Sequence, residues 1–151
     1  MNGSLPGRFL ILGAALALSA FTPYATAQSV REGRTAQDRA FIAGGIGLDE
    51  SEQMKAMARS FPLSITVAAK SGAYLADSHV TIQDARGQMV LDTQLGSPYL
   101  LVDLTPGNYS VEATLRGQKQ QRRVNIGANT PTKIVFTFDV PVDQVIGKAP
   151  N

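Results

Sequence analysis

A small all-β sandwich of seven short antiparallel strands, entered through one short helix, is the fold that this sequence predicts. Three observations lead to it. Apolar and polar residues alternate with period two in a succession of short runs between Leu63 and Phe138. Gly, Pro and Asn punctuate that stretch at short intervals. No long helical pattern separates one alternating run from the next. Period-two alternation marks half-buried strands, and strands without intervening crossovers pair as hairpins.

The first 27 residues stand outside that fold. Arg8 is followed by an apolar run over 9–20 and then by Ala25-Thr26-Ala27. A charged end, a short apolar core and a small-residue site predict a secretory signal peptide, cleaved after Ala27. The run is shorter than the roughly 20 apolar residues of a spanning helix, so the expected mature chain is periplasmic or secreted and does not cross a membrane.

Residues 28–47 are polar and then glycine-rich (Gly44-Gly45-Ile46-Gly47), which predicts a flexible lead-in. A short amphipathic helix is expected over 48–61. Asp49 is its N-cap candidate, with Glu52 three residues on in a variant of the capping box. Met54, Met57, Ala58 and Phe61 fall at i, i+3, i+4 and i+7 and form one apolar stripe, and Pro62 ends the helix.

The sandwich is expected over 62–140. Leu63, Ile65, Val67 and Ala69 alternate with Ser64, Thr66, Ala68 and Lys70; Val80 and Ile82 follow the same rule. After the Asp84-Ala85-Arg86-Gly87 turn come Met89-Val90-Leu91 and then Tyr99 to Leu104. Thr105-Pro106-Gly107-Asn108 is a strong turn, since Pro presets φ and Gly supplies φ > 0. Tyr109, Val111, Ala113 and Leu115 form the cleanest alternation; Val124 with Ile126, and Ile134 with Phe136 and Phe138, complete the set. Residues 141–151 are left as a tail.

The residue inventory narrows the chemistry. Cysteine is absent, so neither a disulfide framework nor a lipid-attachment cysteine exists. Without Arg8, the 14 basic side chains become 13 against 12 acidic ones, too even a balance for a nucleic-acid partner. His79 is the one histidine; its neighbours Asp77 and Ser78 cannot form a triad along one strand, because successive side chains point to opposite faces. One histidine also cannot supply a usual zinc ligand set. Asp77, Asp84, Asp92 and Asp103 are scattered singly and lie in no calcium-loop pattern. A phosphate cradle at the glycines lacks a following Gly-Lys-Ser/Thr, and Asp49, Glu50 and Glu52 would repel an anion there. A lysine–asparagine cross-link is disfavoured because Lys70 is in the outward phase and the last strand has no asparagine. No catalytic residue, metal or cofactor is assigned.

The run Ile65-Thr66-Val67, Val80-Thr81-Ile82-Gln83-Asp84, Gly87 and Leu101-Val102-Asp103-Leu104-Thr105-Pro106-Gly107-Asn108-Tyr109-Ser110-Val111 resembles the carboxypeptidase regulatory-like domain. Its marks are a D-x-x-G turn and an L-P-P-G-x-Y-x-V signature, with Thr105 here in place of the first proline. The resemblance covers about 62–139. Gly44-Gly45-Ile46-Gly47-x-Asp49-Glu50 also resembles the lead-in of exported proteobacterial proteins that carry the domain. It implies a transthyretin-like, seven-stranded Greek-key sandwich. It implies no peptidase activity, because the domain is an accessory module in enzymes and envelope proteins alike.

The expected function is therefore a non-enzymatic periplasmic binding or structural module. Its partner is an envelope protein or polysaccharide, with a second copy of the chain as a further candidate. The candidate contact residues are the helix stripe Met54, Met57 and Phe61, the loop aromatic Tyr74, and the basic hairpin residues Arg116, Lys119 and Arg123. Basic residues on such a hairpin also serve simply to block edge-to-edge aggregation. The alternatives are a carbohydrate-binding module using Tyr74 and Tyr99, and an accessory domain of a hydrolase.

Overall fold

The computed structural model describes residues 30–141, and the expected signal peptide and residues 142–151 lie outside the described residues. Among the described residues the chain forms β1 (Arg31–Arg34), β2 (Ala40–Gly44), helix α1 (Leu48–Met57), a 3-10 turn (Ala58–Ser60), β3 (Leu63–Ala69), β4 (Ser78–Asp84) and β5 (Met89–Leu95). It continues through β6 (Tyr99–Val102), β7 (Gly107–Leu115), β8 (Gln118–Ile126) and β9 (Thr132–Phe138). Two sheets result, ordered β1-β2-β6-β3-β9 and β5-β4-β7-β8. Their inner faces share one core, in which Leu63, Ile65, Val67, Phe136 and Phe138 meet Val80, Ile82, Val111, Ala113 and Ile126. The molecule is a β-sandwich.

Two expectations need correction. Among the described residues the strands number nine, not seven, because the lead-in is a hairpin: Phe41 pairs with Gly33, and on its other side with Val102 of β6. Two of its glycines, Gly33 and Gly45, are demanded by close packing. A Cβ on Gly33 would sit 2.4 Å from the Phe41 ring, and one on Gly45 2.2 Å from the Tyr99 ring. The sheets are also not wholly antiparallel, since β3 and β9 run parallel. A parallel pair needs a long connection; here it is the whole of the intervening chain, β4 to β8, in place of a crossover helix.

The signature turns have identifiable supports. Asp84 Oδ1 accepts the amides of Arg86 (2.9 Å) and Gln88 (3.0 Å), and Gly87 takes a φ of 79°. Buried Tyr109 donates its hydroxyl hydrogen to the Thr105 carbonyl at 2.9 Å, with Thr105 Oγ1 at 3.0 Å, and so clamps the loop before β7. Tyr109→Phe is expected to lower stability by about 1 kcal/mol, the net worth of one such bond. Urea melts should show a lower midpoint at unchanged slope, and an unchanged midpoint would mean that the clamp contributes nothing.

Both open sides of the sandwich are tied by polar contacts. On one, Ala36 N–H donates to Val90 O at 2.8 Å, and the Arg31 guanidinium reaches Thr93 Oγ1 and Gln94 O. On the other, Gln118 and Gln120 of β8 donate to the carbonyls of Asp139 (3.0 Å) and Thr137 (2.5 Å), and Arg122 lies over the Phe136 ring at 5.7 Å.

Candidate functional site

Helix α1 lies on the outer face of the five-stranded sheet. Met54 is fully buried there with Ile42, Tyr99 and Leu101, and Val30, Met57, Ala58, Phe61 and Tyr74 pack around them. The stripe expected from sequence therefore docks within the chain. Its start differs from the expected capping box. Gly47 is the N-cap and no side chain caps the helix. Instead Glu50 reaches back to accept the amides of Gly45 (2.9 Å) and Ile46 (2.5 Å), while Ser51 Oγ donates to Gly45 O at 2.8 Å. The acidic first turn thus ties the helix to the glycine loop beneath it.

The helix covers β2 and β6 but stops short of the outer face of β3 and β9. Two adjoining hollows of about 270 and 350 Å³ remain beside it, sharing Lys55, Thr66, Tyr99 and Lys133 as walls. They form one groove. Ser64 and Thr66 line it from β3; Lys133, Val135 and Thr137 from β9; Lys55 and Arg59 from the helix and the turn after it; Tyr74 from the loop after β3. Alternation explains the set. Odd-numbered residues of β3 enter the core, so the even-numbered ones face outward. On β9 the phase is opposite, and parallel register sets Ser64 beside Lys133 and Thr66 beside Val135.

The groove is cationic, with aromatic and hydroxyl groups. Lys55 Nζ contacts Glu52 Oε1 at 2.8 Å and stands 5.9 Å from the centre of the Tyr74 ring. Its hydrogen bond to Glu52, with Tyr74 adding to it, holds the ammonium pKa above the ordinary lysine value. Tyr74 packs against Tyr99 with ring centres 5.3 Å apart and planes tilted by 54°. Burial, and then the neighbouring Tyr74 hydroxyl, push the Tyr99 phenol pKa well above its usual value, so it stays neutral. At the far end Lys70 meets Asp139 at 3.1 Å on the surface. Arg59 and Lys133 have no carboxylate within ion-pair distance among the described residues.

The other sequence candidates are dispersed. Met54 cannot contact a partner because it has no exposed surface. Met57 and Phe61 are half-buried, and of the candidates Tyr74 and Tyr99 line the groove. Arg116, Lys119 and Arg123 are exposed on the β7–β8 hairpin of the other sheet, and Lys119 meets Glu112 at 3.0 Å. Strand alternation splits the basic run, because Arg122 turns towards Phe136. His79 meets Asp92 at 2.7 Å across β4 and β5, whereas Ser78 is fully buried on the opposite face. Asp84 holds its turn and Asp103 meets Arg39 at 2.9 Å. Among the described residues no three His, Asp or Glu side chains gather as a metal site.

Sequence reasoning missed Lys55, Arg59, Ser64, Thr66, Lys133 and Val135. The outward phases of β3 and β9 were readable; their adjacency was not, because it depends on the parallel pairing. Compared with protein-family models and with curated proteins, the chain matches none.

Proposed function

We propose that this chain is an exported, non-enzymatic binding module that holds a protein partner or an envelope component in the groove beside α1. In this reading β3–β9 are a Greek-key sandwich of the carboxypeptidase regulatory-like kind, and the β1–β2 hairpin extends one of its sheets. The observation that carries the binding role is the pair Arg59 and Lys133. Both cations line the same hollow, and neither has a carboxylate partner among the described residues. Charges left unpaired on a concave surface are available to a ligand. Sugar binding has less support: Tyr99 is buried and Tyr74 leans on it with Lys55 near its face, so neither of these two rings lies free as a stacking platform.

The test compares tagged wild-type chain with the double variant Arg59→Glu/Lys133→Glu as bait in a periplasmic extract, after cross-linking. A partner captured by the wild type and lost by the variant is the expected result. Equal capture by both would place the contact surface elsewhere.

A further inference from the structure

The chemistry of the groove specifies its ligand further, on the reading that it is a binding site. Ser64 and Thr66 are each only 7% exposed, yet neither hydroxyl has a hydrogen-bond partner among the described residues. Both residues line the hollow that Arg59 and Lys133 also line. Neither hydroxyl is sealed from solvent, since the enclosed side-chain atoms without a partner among the described residues are Arg39 Nε and Ser78 Oγ, so each is open to water or to a ligand that replaces it. Here the missing partners have room to come from outside.

The spacing of these groups matches a polypeptide. Ser64 and Thr66 are two residues apart on one strand, about 6.6–6.8 Å at the usual rise. That is also the repeat at which an extended peptide presents equivalent backbone groups. Lys133 and Val135 repeat the interval on β9, one cationic and the other 43% exposed and apolar. A sugar chain would need a ring platform that the engaged tyrosines do not offer.

We infer that the groove takes an extended acidic segment of a partner protein, laid along β3. Its carboxylates meet Arg59 and Lys133, its backbone meets the Ser64 and Thr66 hydroxyls, and an apolar side chain rests on Val135.

Fluorescence anisotropy tests this with a fluorescein-labelled nonapeptide of alternating Glu and Val, blocked at its C-terminus, added to the purified chain. The expected result is saturable binding that weakens at least about tenfold when Gln replaces each Glu, or when Arg59→Glu/Lys133→Glu is used. Thr66→Val, which keeps shape and removes the hydroxyl, should weaken binding about threefold. Thermal melts matching wild type show that the variants are folded. Equal binding of the Glu and Gln peptides, or full binding by the charge-reversed variant, overturns the inference. Binding of an oligogalacturonate with none of the peptide also overturns it, while leaving the groove as a binding site. No binding of either probe overturns the acidic-segment assignment, and the cross-linking comparison then decides separately whether the groove binds anything.

Discussion

Met54→Asp abolishes cooperative folding, or leaves only a residual transition at low denaturant. Met54 has no exposed surface and sits between α1 and the sheet residues Ile42, Tyr99 and Leu101. Removing a buried methionine side chain costs about 2–5 kcal/mol on its own. A carboxylate there has no cationic partner in the apolar cluster and adds several kcal/mol more, against a typical total stability of about 5–15 kcal/mol. Met54→Ala should show the packing part alone. Met57→Asp should be milder, since Met57 is half-exposed and its carboxylate can turn to water. Urea melts followed by circular dichroism read all three. The midpoints should not depend on protein concentration, because the stripe is covered by its own sheet. Equal damage from Met57→Asp, or a concentration-dependent midpoint, would contradict docking within the chain.

Gly45→Ala produces the second large loss, about 2–5 kcal/mol. The residue holds a φ of 100°, which side-chain-bearing residues rarely adopt, at a cost of about 1–2 kcal/mol. The added methyl would also lie 2.2 Å from Tyr99 Cδ2, and overpacking of this kind costs about 1–3 kcal/mol. Tyr99→Ala destabilises alone but removes the clash. In that background Gly45→Ala should retain only its backbone part, a coupling of about 1–3 kcal/mol in a double-mutant cycle. Additive losses would show that Tyr99 is not what restricts residue 45.

The contrast between these two sites explains what was legible in the sequence. The stripe containing Met54 was visible because helical period is a local signal, and the seven strands from Leu63 to Phe138 were visible for the same reason. Residues 31–44 were not. REGR and AFIAG carry little alternation, and Gly33, Gly44 and Gly45 look like the punctuation of a loop. Only the rings of Phe41 and Tyr99, the latter far along the chain, give Gly33 and Gly45 their meaning. The groove was hidden by a longer-range fact. Ser64 and Lys133 are neighbours because the first and last strands of the expected sandwich lie side by side, which no spacing within either strand discloses.

That same pairing sets an order of events. Among the described residues β9 is an edge strand whose one strand-pairing partner is β3, the first of the seven, and β2 in turn waits for β6. The five-stranded sheet thus cannot close from either end while the chain is still emerging. Pairings so distant in sequence are slow to form, because loop closure must precede their stabilisation. The five-stranded sheet consequently remains incomplete until the last strand has been made, whereas every strand of the four-stranded sheet precedes it. A chain ended before Thr132 lacks the β9 partner of β3 and is expected to stay protease-sensitive, which limited proteolysis of staged truncations would detect.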